Sequence, residues 1–402
     1  MAAAMAGANP FVKQYLMTAG PTPLPPRVQA AMGEPVVYHR APDFDALFVR
    51  VLERLPDVFQ TANDVLVLTS SGSGAMESAV ANLVRPGQPI LACAGGKFGE
   101  RWIELGEAFG ADVVRHEPPW GGRIEPADAD RLLAENPAVE VVFATLSETS
   151  TGVVHDVRGL AEAARAHDAL VVVDAISGLG AAELRQDEWG VDVVIGGSQK
   201  ALMCPPGLGF VSASQRALDF AAARPGPKGA YYFDWERAIA EQRKPAPATP
   251  FTPAVTLIRA LDVALDLIAE EGLENALARH DLLARATRGG VHGLGLDVFG
   301  DADERSTVVT AVELPDTIDG AKVPGLLHER GIVANGGQGQ LKGRILRIAH
   351  CGYFGAFDVL ISLSGLELAL HELGAEVELG AGVGAAQQVF VEAGTPVAAP
   401  PA

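Results

Sequence analysis

The sequence predicts an α/β protein: a mostly parallel sheet covered by helices on both faces, followed by a smaller α+β domain. Three observations carry this. Short apolar runs alternate with amphipathic segments through the first two thirds of the chain. The runs are continuously apolar rather than alternating, as strands buried on both faces read. A Pro-rich passage, "RKPAPATPFTPAV" (243–255), then breaks the rhythm, and a different mixture of helix and strand signals follows.

The predicted strands are "DVLVLTS" (64–70), "PILACAG" (89–95), "VEVVFATL" (139–146), "ALVVVDA" (169–175), "VDVVIGG" (191–197) and "GLGFVSA" (207–213). Helical patterns such as "GAMESAVANLV" (74–84) and "VRGLAEAARAHD" (157–168) lie between them, which is the alternation of an α/β domain. Beyond the Pro-rich passage come a long helical pattern with possible breaks at its glycines, strand signals at 306–314 and 344–350, and a last helix near 356–374. The expected division is an N-terminal extension (1–16), a large domain (17–245), a small α+β domain (246–380) and a flexible Pro/Ala-rich tail (381–402).

The bulk numbers narrow the function classes. A chain of 402 residues calls for two domains, and 48% hydrophobic with 20% charged residues is ordinary for a folded protein. A net charge of -19 argues against a nucleic-acid surface, which needs clustered Lys and Arg. Cys93, Cys204 and Cys351 are far apart and form no CxxC pair, so neither a disulfide framework nor a zinc knuckle is expected. No stretch reads as a signal peptide or a membrane span, and a cytoplasmic protein is the expectation.

Four features fall where an α/β sheet presents its ligand edge, at strand C-termini and the turns after them. Lys200 follows the strand at 191–195 and is flanked by small and apolar residues, which favours a desolvated amine suited to a Schiff base. Asp174 ends the strand before it. Here a carboxylate caps a helix, holds a metal or pairs with a cationic ring nitrogen; with no His/Asp/Glu cluster at ligand spacing, a metal is not expected. "TSSGSGAMESAV" (69–80) runs from strand through a Ser/Gly turn into a helix, so Ser71, Gly72 and Ser73 form either a plain helix start or a phosphate cradle. It is neither a dinucleotide fingerprint nor a P-loop, because the glycine spacing fails and Gln199 precedes the lysine. Arg347 lies in the second domain. Cradle, strand-end Asp and strand-end Lys together are the parts that pyridoxal phosphate requires.

These residues sit in blocks that resemble the class V, fold-type-I pyridoxal-phosphate aminotransferases, in their alanine–glyoxylate and serine–glyoxylate (serine–pyruvate) branch. The blocks are "MTAGPTPLPPRV" (17–28), "SSGSGAMESAVANLVRPGQPIL" (70–91), "KFGERWIELGEAFGADV" (97–113), "ETSTGVVHDV" (148–157), "VVVDAISGLGAAEL" (171–184), "GSQKALMCPPGLGFVSAS" (197–214), "TPFTPAVTLIRAL" (249–261) and "LRIAHCG" (346–352). The resemblance implies a seven-stranded, mostly parallel sheet and pyridoxal 5'-phosphate as cofactor. It implies that Lys200 carries the cofactor and shuttles the substrate proton, and that Asp174 faces the ring nitrogen. Ser71, Gly72 and Ser73 would hold the phosphate with Gln199 beside them, Phe98 would stack on the ring, and Thr149 would lie near the ring oxygen. Thr252 would reach the phosphate of the neighbouring subunit of a homodimer, and Arg347 would bind the substrate α-carboxylate. His39 and Arg40, in "VVYHRAPDF" (36–44), would read a polar or anionic substrate group or else pair with Asp43 or Asp45. Vertebrate-type members carry tryptophan in place of Phe98 and histidine in place of Ser73, which bears on substrate preference more than on the cofactor.

The activity implied is ping-pong transfer of an amino group from a small amino acid to glyoxylate or pyruvate. A phosphoserine- or aspartate-type aminotransferase is the alternative. A cysteine desulfurase on the same scaffold would carry a histidine before the lysine and a cysteine on a mobile loop, whereas Gln199 precedes Lys200 and Cys351 sits in a strand-like segment.

Overall fold

In the computed structural model of the chain, which describes residues 13–224, 229–300 and 305–394, the first domain is built on a seven-stranded sheet. Its strands are β1 (Val65–Thr69), β2 (Pro89–Cys93), β3 (Asp112–His116), β4 (Val141–Thr145), β5 (Leu170–Asp174), β6 (Val193–Gly197) and β7 (Leu208–Ala213). The spatial order is β1-β7-β6-β5-β4-β2-β3, and only β7 runs antiparallel to its neighbours.

Every other side chain along these strands enters a different core, which is why the sequence runs are unbroken. Val65, Val67, Leu91, Val142, Val171, Val173 and Val194 pack on one face against helix α1 (Pro42–Phe59), through Phe44, Phe48 and Leu55. Leu66, Leu68, Ile90, Phe143, Val172 and Ile195 pack on the other against α2 (Gly72–Leu83) and α3 (Glu100–Ala108), through Met76, Val80 and Trp102. Strand β3 lies outside the runs marked in the sequence. It is one of the two sheet edges, and its "DVVRH" is only partly buried on either face, with Asp112 and Arg115 exposed and Val113 and Val114 half-buried, so no continuous apolar signal forms.

The long helical pattern breaks once, at Gly272 with φ 83°, giving α4 (Val255–Glu271) and α5 (Leu273–Gly293). Helix α4 departs from the expected boundary at 246: Ile258, Leu261, Leu265 and Ile268 pack into the first core, so the second core begins with α5. That second core lies between α5, a three-stranded antiparallel sheet of β8 (Val309–Glu313), β9 (Asn335–Gly336) and β10 (Ile345–Ala349), and α6 (Ala356–Glu372). Tyr15 and Leu16 add a short parallel pairing with Ile332 and Val333.

The tail expected beyond 380 is a helix for most of its described length, α7 (Ala381–Glu392). Small residues bring it onto α5: a Cβ at Gly293 would stand 2.5 Å from that of Ala385, and one at Gly290 2.9 Å from the Gly382 carbonyl. The Glu367 carboxylate accepts from the N–H groups of Gly380, Gly382 and Val383 at 2.8–3.1 Å and so caps the start of α7. Residues 1–12 of the expected N-terminal extension and 395–402 of the expected tail lie outside the described residues.

Candidate active site

Lys200 stands in the turn after β6, and its Nζ donates to the carbonyl of Ala19. The opening loop is threaded against it: Thr22 N–H donates to Gln199 O (3.2 Å) and Thr22 Oγ1 to Lys200 O (3.0 Å). Gly20, at φ 141°, permits this approach, since a Cβ there would come within 2.5 Å of Lys200 Cδ and Cε. Burial lowers the Lys200 pKa from the usual lysine value. Cys351 and Asp174 oppose the shift, and the guanidinium groups of Arg347 and Arg101 reinforce it.

Asp174 ends the neighbouring strand and is buried. Burial pushes its carboxyl up to about 6 despite the Ile176 N–H bond to Oδ1 at 2.8 Å; Glu148 adds to the rise and Arg101 and Lys200 oppose it. The other Asp174 oxygen accepts no hydrogen bond among the described residues. Next to it on β4, Thr145 Oγ1 is buried without a partner.

The Ser/Gly turn opens α2. Ser71 is its N-cap, accepting weakly from Gly74 N–H at 3.4 Å, and the first-turn N–H groups lie at the C-terminal end of β1. Gly72 packs closely on Ile176, whose Cδ1 would lie 2.5 Å from a Cβ at that position, so a side chain there would push Ile176 aside. Ser73 Oγ accepts from Arg101 Nη1 at 2.9 Å, and the Arg101 guanidinium lies over the Phe98 ring at 5.4 Å. Gln199 Oε1 is buried with no partner.

Two loops close the site through Glu148. Its Oε2 accepts from the N–H groups of Phe98 (3.0 Å) and Gly99 (2.9 Å), and its Oε1 from Ser150 N–H (3.0 Å) and Oγ (2.6 Å). Burial pushes this carboxyl above the usual range although those bonds oppose it. Arg347 reaches in from β10: Nε donates to Gly336 O (3.0 Å) and Nη1 to Thr149 O (3.1 Å), while Nη2 bonds no described residue. The chain thus joins its second domain to the loop that carries Thr149.

Lys200, Asp174, Ser71–Ser73, Phe98, Thr149, Gln199 and Arg347 are therefore gathered at one edge of the sheet. No hydrogen bond, ion pair or ring contact among the described residues joins His39, Arg40 or Thr252 to them. His39 meets only the Tyr38 ring, Arg40 and Thr252 are exposed, and Arg40 pairs with neither Asp43 nor Asp45. Arg101 and Glu148 went unmarked in the sequence; only their place inside the matching blocks hinted at them.

The family model described as Aminotransferase class-V matches residues 14–344. The chain belongs to the class-V aminotransferases. This aminotransferase is 36% identical to the serine–glyoxylate aminotransferase of Methylorubrum extorquens over 94% of its own length and 96% of the relative's. It is 39% identical to a protein of Synechococcus sp. named soluble hydrogenase, small subunit, over 94% and 98%. The ureidoglycine–glyoxylate aminotransferase of Bacillus subtilis superposes with a TM-score of 0.90 at 34% identity, covering 94% of this chain and 98% of that one. Among the described residues of the aminotransferase, no three His, Cys, Asp or Glu side chains are grouped to hold a metal, and no helix is long and apolar enough to cross a membrane. Cys351 is fully buried, and burial pushes its thiol up to about 11, unlike an exposed nucleophile.

Proposed function

We propose that this aminotransferase moves the amino group of a small amino acid, of the alanine or serine type, to glyoxylate or pyruvate, using pyridoxal 5'-phosphate held by Lys200. The observation that carries the reading is one edge of the sheet that gathers a desolvated lysine amine, a carboxylate short of a donor, a helix N-terminus and a guanidinium whose Nη2 bonds no described residue. Two residues fit the cofactor by what they lack: Asp174 has an oxygen with no donor, which a protonated ring nitrogen would supply, and Arg101 forms no ion pair among the described residues.

When bound, the cofactor supplies an electron sink for the pair left behind when the substrate Cα loses its proton. Lys200 holds and moves that proton at Nζ, and burial, by lowering its pKa, favours the neutral amine that a base requires. Asp174 keeps the ring nitrogen protonated, and a cation opposite it offsets the cost of burying its own charge. Ser71, Gly72, Ser73 and Gln199 bind the phosphate, while Phe98 and Thr149 orient the ring. Arg347 offers its free Nη2 edge to the substrate α-carboxylate. Both aminotransferase relatives named above carry glyoxylate in their names, which favours it as acceptor.

A homodimer completes the site in this reading. Val36, Tyr38 and Tyr231 are 72%, 65% and 72% exposed, and they flank the segments of His39, Arg40 and, through Phe251, Thr252. Three unpaired buried cysteines suit a reducing, cytoplasmic setting.

The test is a half-reaction screen. The purified protein is expected to show an absorbance band near the visible edge that alanine or serine discharges, glyoxylate restores, and borohydride or Lys200→Ala removes. Aspartate and phosphoserine run alongside; discharge by one of these alone would replace the small-donor reading, and a band inert to every amino acid would end it.

A further inference from the structure

Arg101 forms no ion pair among the described residues, in a chain where Asp and Glu outnumber Lys and Arg by 50 to 31, and the buried Asp174 carboxyl feels its charge only through space. It is half-buried in the first turn of α3, and no carboxylate pairs with it among the described residues. Its two contacts are the Ser73 hydroxyl, at 2.9 Å, and the face of Phe98. The Ser/Gly turn itself, "TSSGSGAMESAV", holds no Lys or Arg. A doubly charged phosphate there would meet only N–H groups, hydroxyls and the partial charge of one helix end.

Ser73 links the two. Because its Oγ accepts from Arg101, the hydroxyl proton remains free to point into the turn, and the adjacent cation makes it a stronger donor. We infer that Arg101 is the charge partner of the cofactor phosphate and acts on it through Ser73, as a positioning residue. The inference rests on the pyridoxal-phosphate reading above.

The experiment titrates the full-length protein, freed of cofactor, with pyridoxal 5'-phosphate and separately with pyridoxal, which lacks the phosphate. The readout is growth of the visible-edge band. In Arg101→Gln the affinity for pyridoxal phosphate is expected to fall by about 10–100-fold, the size of a charge-assisted hydrogen bond. Affinity for pyridoxal is expected to change by less than about threefold, because that ligand makes no phosphate contact. In a Ser73→Ala background the same substitution is expected to cost under about threefold, since the relay is gone. Arg101→Lys keeps the charge without the planar fork and is expected to fall between wild type and Gln. Equal losses for both ligands, or none, would overturn the role of Arg101 alone. A wild type that develops no band with pyridoxal phosphate would instead overturn the cofactor reading, and this inference with it.

Discussion

Asp174 makes opposite demands on stability and on function. Burial raises its pKa from 3.8 to about 6 in the folded chain. An acid held above its unfolded value contributes stability that is fully present below the unfolded pKa and is lost as pH rises through the folded one. Above pH 6 the cofactor-free protein therefore carries a buried, poorly matched charge costing about 3 kcal/mol, from about two pH units at 1.36 kcal/mol each. Asp174→Asn is expected to raise the melting temperature of cofactor-free protein by several degrees at pH 8 and to leave it nearly unchanged at pH 4. Thermal melts at the two pH values decide this, and equal shifts would count against it. Lys200 and Asp174 were legible as strand-end residues because apolar runs mark the ends. Glu148 and Arg101 were not, because what distinguishes them is burial and partners 49 and 28 residues away, respectively.

Strands buried on both faces announced themselves, the edge strand β1 among them, and β3 did not, because it is only partly buried on either face and its exposed Asp112 and Arg115 interrupt the apolar run. Helix α7 shows a second kind of illegibility. Its "AGVGAAQQVFVE" looks too small and glycine-rich to hold a fold, yet those small residues let its backbone approach α5 at Gly290 and Gly293. The cap is also non-local, since Glu367 on α6 satisfies three N–H groups at its start. Glu367→Ala leaves those donors unpaired, so a loss of about 1–3 kcal/mol is expected in urea unfolding, with Glu367→Gln losing less. An unchanged unfolding midpoint would refute the cap.

At the scale of the molecule, the expected subunit exchange has a sharp signature. If Thr252 serves the partner's phosphate site, a hybrid of one Lys200→Ala subunit and one Thr252→Glu subunit pairs an intact lysine with an intact threonine in one of its two sites. Mixing the two inactive variants under subunit exchange is then expected to restore about half of wild-type turnover per hybrid. No recovery in hybrids isolated by differential tags would put Thr252 in its own chain's site. Arg347 ties the domains together as well, bonding Gly336 and Thr149 at once, so the grip on a substrate carboxylate proposed for it would be set by how the two domains meet.

The opening loop takes this further. Tyr15 and Leu16 are stitched to the far domain, and three residues later the Ala19 carbonyl accepts from Lys200 Nζ. The amine's parking place is thus assembled from parts separated by 181 positions and tethered to both halves of the protein. If Lys200 does the proposed chemistry, cutting or crowding the chain just ahead of Gly20 would strike at that chemistry rather than at an idle leader.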